Sequence, residues 1–562
     1  MIHSRKAFRQ RLPLIMLSAL SLIQINAQAQ GTEQADRYFE ISKNLEIYSN
    51  VFKELNQFYV DPIEPGRMVK TGVDAMLNEL DPYTNLITEA EMEDYELQTT
   101  GKYSGVGVST RVIDGKTVVA ELYENGPVAK AGVKPGDIII AVNGESIEGR
   151  SSDEIGNLMR GAPGTTLTMT LKHPLSGKEE VKTITREEIK MSSVSYACLI
   201  GDRNIAYVHL AQFTPNCARD VRNALDSLKK EQPALKGVVL DLRGNPGGLL
   251  EEAVRVCNLF IDKGQLVVST KGKNKEWDKE FKTTGSPWDL EIPLAVLINQ
   301  GSASASEIVA GTTQDLDRGV VIGTRSFGKG LVQNIRPLGY NARLKITTAK
   351  YYTPTGRCIQ ALDYSHRNED GSVSSVADSL RREFKTKIGR KVYDGGGIEP
   401  DIKIPVDQPS PIAEALVTNN FIFEYATQYF YKHATIAAAT DFALTDNEFN
   451  EFVQWLGDKD YSYKTDSEEL LEELKEAAEK EQYFDQIKSE FAALAKRLSH
   501  DKKQDLLKHK AEVMNMLNSE IISRYYFQRG RIMNKLKTDD KNLEKAVQVL
   551  KNNAEYKTLL KV

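Results

Sequence analysis

The stretch "PLAVLINQGSASASEIVAGTTQDL", residues 293–316, decides the fold. Its first part is an unbroken apolar run, as a strand buried on both faces requires. Asn299, Gln300 and Gly301 interrupt it. The remainder, 303–316, has the composition and spacing of a helix. The reading is strand, turn, helix, with Ser302, Ser304 and Ser306 at the junction. Small hydroxyls there are either ordinary helix-start residues or include a nucleophile.

The same alternation continues on both sides. "IAYVHLAQF" (205–213) reads as a strand and "CARDVRNALDSLKKE" (217–231) as an amphipathic helix. "LKGVVLDLRGNPGG" (235–248) is a buried strand entering a glycine turn. "LEEAVRVCNLFI" (250–261) is a helix and "GVVIGTRS" (319–326) another strand. Alternating strands and helices predict a layered α/β core, assigned to residues 188–404. Residues 99–187 read as a small domain of short strands between glycine turns, with a helix at "SSDEIGNLMRG". Residues 30–98 form a helical segment that ends at "DPYT" (81–84), where Pro82 breaks it. Residues 361–391 read as a polar excursion. Residues 405–562 are a helical region whose "TDSEELLEELKEAAEKEQYFDQIKSEFAALAKRL" is long, charged and periodic, a solvated helical face.

The chain has 562 residues, enough for about three or four domains. Residues 1–29 read as a signal peptide: Arg5, Lys6, Arg9 and Arg11, then "LPLIMLSALSLI", then Ala27 and Ala29 in an A-x-A arrangement. Its apolar run is too short to span a membrane. Taking those four positive charges from the formal −5 leaves −9. A mildly acidic exported protein is a poor nucleic-acid binder. Cys198, Cys217, Cys257 and Cys358 form no CxxC pair and no HExxH occurs, so neither composition nor motif points to a metal. Export permits disulfides without requiring them.

A serine hydroxyl is a weak nucleophile that needs a base beside it. Neither His209, inside an expected strand, nor His173, at a strand end of another domain, has an evident link to Ser304. A lysine can serve when burial disfavours its charged form. Lys329 in "RSFGKGLVQNI" lies between Gly328 and Gly330, which let backbones pack closely around it. Gln333 follows by four residues and can orient that amine if a strand begins near Gly330. The helix after Ser304 offers free N–H groups to an oxyanion. C-terminal ends of parallel strands share one crevice, so Gly247 or Gly248 is a second candidate donor. The residues alone leave two readings open: a Ser–Lys hydrolase, or a Ser302 that merely caps a helix with Lys329 a surface turn lysine.

The motifs "DPYT", "SGVGV", "GPVAKAGVKPGDIIIAVNG", "VVLDLRGNPGG", "GSASASEIVAG", "RSFGKGLVQ", "AKYYTPTGRCIQ" and "GGIEPD" occur in this order within residues 45–404. As a set they resemble the carboxyl-terminal processing peptidases, or tail-specific proteases. The resemblance implies a serine endopeptidase with Ser304 as nucleophile, Lys329 as general base and Gln333 orienting the lysine. It implies Ala305 as one oxyanion donor, with Gly247 or Gly248 as the other, and supporting roles for Ser302 and Ser306. Residues 99–187 resemble a PDZ domain, with Gly105, Val106, Gly107 and Val108 binding a substrate's terminal carboxylate. No cofactor or metal is implied. The expected partners are proteins or peptides with free C-termini, and the expected location is the periplasm, with secretion the alternative. The C-terminal helical region leaves homo-oligomerisation or adaptor binding open. The rival reading is a non-catalytic PDZ scaffold that binds protein tails.

Overall fold

The computed structural model describes residues 36–561 apart from 93, 94, 96–99, 369, 407, 458, 499–501, 538 and 539; the expected signal peptide lies outside the described residues. The chain divides into two compact units that meet between Leu86 and Ile87. The first holds helices over 36–58 and Pro65–Asn78. Asp81 Oδ1 then accepts the N–H groups of Tyr83 and Thr84, both at 2.8 Å, and turns the chain at "DPYT".

The second unit opens with the strand-rich domain. Strand β1 (Lys102–Gly105) leads into β2 (Val108–Ile113), followed by β3 (Lys116–Leu122) and β4 (Ile138–Val142). Helix α1 (Ser152–Met159) starts on a Ser151–Glu154 capping box. Strands β5 (Thr166–Lys172), β6 (Glu179–Thr185) and β7 (Glu187–Lys190) complete the domain. The order is β2-β3-β4-β5-β6, and β1 pairs with β7. Strand β2 is therefore an edge, with α1 beside it.

The core follows. Antiparallel β8 (Val194–Ile200) borders parallel strands β9 (Ile205–Leu210), β10 (Gly237–Asp241), β11 (Leu294–Ile298) and β12 (Val320–Gly323). Helices α2 (Cys217–Glu231), α3 (Leu250–Cys257) and α4 (Ala305–Asp315) cover one face of this sheet. Val238, Leu240, Val296 and Ile298 point into that layer, while Val239, Ala295 and Leu297 face the other way, the alternation of a strand buried on both sides. Strand β13 (Leu331–Pro337) pairs with β14 (Arg343–Tyr352) in a second, antiparallel sheet. The expected excursion at 361–391 is two small hairpins, Leu362–Arg367 with Val373–Ser375 and Glu383–Lys385 with Lys391–Tyr393. Strand β15 (Ile402–Lys403) then joins the parallel sheet beside β12.

The helical region divides its packing between two cores. Helices α5 (Pro411–Thr418), α6 (Phe421–Lys432), α7 (Asp446–Leu456) and α10 (Lys510–Lys535) build an aromatic-rich cluster of their own. Between α7 and α10 the long charged segment is two helices, α8 (Asp466–Lys480) and α9 (Phe484–Leu498). They are joined through Gln482 at φ +63°. Helices α11 (Lys541–Lys551) and α12 (Asn553–Leu560) instead lie on the second face of the parallel sheet. There Leu543, Ala546, Val549, Leu550 and Tyr556 pack against Tyr207, Val239, Ala295, Leu297 and Ile322. The last two helices thus complete the α/β core structurally.

Candidate active site

The chain leaves β11, turns at Asn299–Gly301 and enters α4. Two of the three junction serines are fully buried and tie this turn to the glycine-rich loop after β10. Ser302 Oγ donates to the Leu242 carbonyl at 2.8 Å, and Ser306 Oγ to the Asn245 carbonyl at 2.9 Å. The Asn245 carbonyl also accepts the Ala303 N–H at 3.0 Å. Ser304 is the half-buried member. Its backbone sits at φ +55°, ψ −112°, a conformation that costs a non-glycine residue about 1–3 kcal/mol and that clusters at functional sites.

The glycine-rich loop backs directly onto this serine. A Cβ on Gly247, whose φ is +103°, would lie 2.8 Å from Ser304 Cβ and 2.9 Å from the Ala305 nitrogen. The Gly247 N–H donates to Asn245 Oδ1 at 2.9 Å. The N–H groups of Gly248 and Ala305 have no hydrogen-bond acceptor among the described residues. Below the loop, Arg243 is clamped between two buried carboxylates. Its Nη2 lies 2.6 Å from Asp241 Oδ2 and 2.8 Å from Asp540 Oδ2, and Tyr207 Oη donates to Asp241 at 2.8 Å. Burial alone would raise the Asp241 pKa, but the Arg243 charge prevails and holds it below the usual carboxylate range.

Lys329 enters from the loop before β13. As the two flanking glycines suggested, the backbone is tightly packed there. A Cβ on Gly328 would come within 2.4 Å of Ala361 Cβ, and one on Gly330 within 2.8 Å of the Gln360 nitrogen. Lys329 is half-buried. Glu307, one turn into α4 and fully buried, joins this loop to the serine. Glu307 Oε2 accepts the N–H of Ser304 at 2.8 Å and that of Lys329 at 2.9 Å. Its Oε1 accepts Ser326 Oγ–H at 2.6 Å and the Gly328 N–H at 2.7 Å. Burial pushes this carboxyl up to about 7, against the four hydrogen bonds that favour its charged form. Tyr351 on β14 closes the other side: its Oη lies 2.5 Å from the Lys329 carbonyl and 3.2 Å from that of Ser304. Gln333 follows a bulge in β13 and donates from Nε2 to Thr347 Oγ1 at 3.1 Å.

Sequence reasoning passed over Glu307 and Tyr351. The signal for Glu307 was local: "SASE" (304–307) carries Ser304-x-x-Glu307, a capping-box spacing. Tyr351 carried no local signal. His209 bonds through Nδ1 to Ser195 Oγ and also meets the Arg243 backbone in the glycine-rich loop. All four cysteines are free, and the described residues hold no His/Cys/Asp/Glu group able to bind a metal.

In the strand-rich domain, Gly105 ends β1, and Val106 and Gly107 form the turn before Val108 opens β2. The Val106 carbonyl accepts the Val128 N–H at 3.0 Å and the Gly107 carbonyl the Tyr123 N–H at 3.1 Å. These two bonds fix the turn through its carbonyl groups. Val106, Ile155 and Met159 are buried in the apolar layer between β2 and α1. A cleft of about 920 Å³ runs from this domain past Gln212, Gly244 and Asn299 to α10; Ser304 and Lys329 do not line it.

Three family models match the chain. Peptidase family S41 covers residues 204–364, a PDZ domain 118–172, and the C-terminal helical domain of probable PDZ-proteases 412–550. A carboxy-terminal-processing protease of Bartonella bacilliformis is 37% identical over 350 residues, 62% of this chain and 79% of that protein. A probable CtpA-like serine protease of Staphylococcus aureus (strain COL) is 33% identical over 348 residues, 61% of this chain and 67% of that protein. The solved photosystem II D1 C-terminal processing protease is 25% identical over 64% of this chain and 92% of its own, with a TM-score of 0.34. With an S41 core, a PDZ domain ahead of it and this identity to a processing protease, the chain belongs to the carboxy-terminal-processing serine proteases of peptidase family S41.

Proposed function

We propose that this protease hydrolyses exported polypeptides through Ser304 and Lys329, choosing them by a free C-terminal tail docked on its PDZ domain. The observation that carries the dyad is the single Glu307 oxygen that accepts both backbone N–H groups and so holds the two residues side by side. In the reaction, the neutral Lys329 amine takes the Ser304 Oγ proton as the oxygen attacks the scissile carbonyl. The oxyanion is received by the N–H groups of Ala305 and Gly248. Gly248 is preferred over Gly247 because the Gly247 N–H already serves Asn245. The Lys329 ammonium then protonates the departing amine. The neutral amine next draws a proton from water, whose oxygen attacks the acyl-serine; that proton then passes from Lys329 to the Ser304 oxygen as the acyl–oxygen bond breaks and a new carboxyl terminus leaves. Gln333 supports the lysine from β13. For tail binding, the edge position of β2 supports strand addition, and Gly105 to Val108 supply the carboxylate nest.

A fluorophosphonate probe should label the parent enzyme and neither Ser304→Ala nor Lys329→Ala. Labelling that survives Ser304→Ala ends the assignment. Peptides with a free C-terminal carboxylate should be cleaved faster than their amides; equal rates would remove the tail from the reading. We further infer export to the periplasm, which N-terminal sequencing of the fractionated protein tests by a start at Gln30. Exposed Leu470, Leu474 and Leu494 on α8 and α9 support self-association or adaptor binding through that hairpin, tested by light scattering after their replacement with serine.

A further inference from the structure

The PDZ nest already holds an oxygen. Tyr103 on β1 folds its ring back over the turn, and its Oη accepts the Gly107 N–H at 3.1 Å. The Val108 N–H adds to the field at the same oxygen, and the Arg160 charge reaches it from the C-terminal end of α1. The ring fits because residue 105 is glycine: a Cβ there would lie 2.7 Å from Tyr103 Cε2. One residue from the turn, Ser104 Oγ is buried without a hydrogen-bond partner among the described residues. A buried hydroxyl left unpaired is costly.

We propose that Tyr103 is a placeholder for the substrate's terminal carboxylate, a self-plug that a charged tail must displace before the PDZ domain can bind it. The proposal rests on the reading that this domain takes free C-termini. Its logic is a difference between acceptors. Without ligand, the buried N–H groups of the turn need a partner, and the phenol oxygen supplies one. Burial pushes the Tyr103 hydroxyl up to about 12, so at neutral pH it remains an uncharged acceptor. A carboxylate on the same donors makes charge-assisted bonds roughly twice as strong and is also favoured by Arg160. An amide or an internal peptide segment lacks that advantage and leaves the plug in place. Tyr103 thereby lowers the affinity for both by a common factor, so that the charged tail alone keeps useful binding.

The test uses the full chain carrying Ser304→Ala, so that bound peptide is not cleaved. A fluorescent peptide ending in an apolar residue is titrated in two forms, with a free carboxylate and with a terminal amide. Tyr103→Phe removes only the oxygen, and Gly105→Ala displaces the ring without altering Tyr103. Both variants should tighten free-carboxylate binding by roughly 3- to 10-fold, the worth of one neutral hydrogen bond. They should raise the residual binding of the amide by a similar factor. Unchanged affinities in both variants, with the preference for the free tail intact, would overturn the plug and leave tail recognition standing. Weaker free-tail binding in Tyr103→Phe would overturn it too, since the hydroxyl would then be a ligand of the carboxylate. If free and amidated peptides bind the parent and both variants alike, the carboxylate nest itself is the error.

Discussion

Ser304 and Lys329 hang from one oxygen atom. Their backbone N–H groups both donate to Glu307 Oε2, at 2.8 and 2.9 Å. The two nitrogens can be no farther apart than those two bonds laid end to end. The two residues proposed to react, 25 positions apart in sequence, are thus registered by a third. A carboxylate suits this because it accepts on both oxygens and donates on neither.

Replacing that carboxylate with an amide tests the registration. In Glu307→Gln an NH2 group must face either the Ser304 and Lys329 donors or the Ser326 and Gly328 donors. Either arrangement leaves buried donors unpaired, at about 1–3 kcal/mol. We expect kcat to fall about 10²-fold, as for a small misplacement of reacting groups, with KM nearly unchanged and the fold retained by circular dichroism. A variant with normal kcat would show that the shared oxygen does not matter.

The same carboxyl predicts a pH dependence of stability. Its folded pKa, raised to about 7 by burial, exceeds its ordinary value of 4.5. The folded chain therefore holds this proton more tightly than the unfolded chain, and unfolding releases it between those two values. Stability contributed by Glu307 falls as pH rises through that window and is level above it. Thermal midpoints of the parent and Glu307→Gln, compared at pH 4.5 and pH 8, should show the parent's relative position declining toward pH 8. A difference that grows with pH would mean the carboxylate is stabilised in the fold.

Tyr351 performs on the carbonyl side what Glu307 performs on the N–H side. Its hydroxyl meets the Lys329 carbonyl at 2.5 Å and the Ser304 carbonyl at 3.2 Å, and the residue is 1% exposed. Tyr351→Phe keeps the ring and removes the donor. The expected loss is about 1 kcal/mol of stability and roughly 10-fold in kcat, read by denaturant titration and peptide hydrolysis. Loss of stability alone would confine Tyr351 to packing.

Much of this architecture was legible locally, and the remainder is nonlocal for identifiable reasons. The strand and helix around the serines stand where the apolar run and small-residue spacing put them, and α2 spans Cys217–Glu231 as its periodicity required. Spacing alone did not separate Ser304 from Ser302 and Ser306; the family motif did, and in the structure the three differ in burial. The split between α8 and α9 falls at "KEQYFD", which contains neither glycine nor proline, so nothing in the composition marked it. The sequence marked 405–562 as helical, but not that α11 and α12 would close the second face of the parallel sheet. Tyr103 and Tyr351 acquire their partners through strand pairing and a turn, and both read as ordinary strand tyrosines in sequence.

The contact between α11 and the sheet makes a last prediction. Asp540 caps α11 through the Leu543 N–H and pairs with Arg243, which also holds Asp241 at the end of β10, where the loop that backs Ser304 begins. The cluster has one cation and two carboxylates, all nearly excluded from solvent, so its two ends are not equivalent. Arg243→Met strips both carboxylates of their counter-charge and should cost about 3–5 kcal/mol. Asp540→Asn leaves the Arg243–Asp241 pair intact, keeps a capping side chain, and should cost only about 1 kcal/mol. Denaturant titration of both variants measures the asymmetry, and peptide hydrolysis under native conditions reads its reach into the loop. Equal and small losses would mean that α11 rests on the sheet by its apolar face alone, with the charge cluster contributing nothing to the placement of the serine turn.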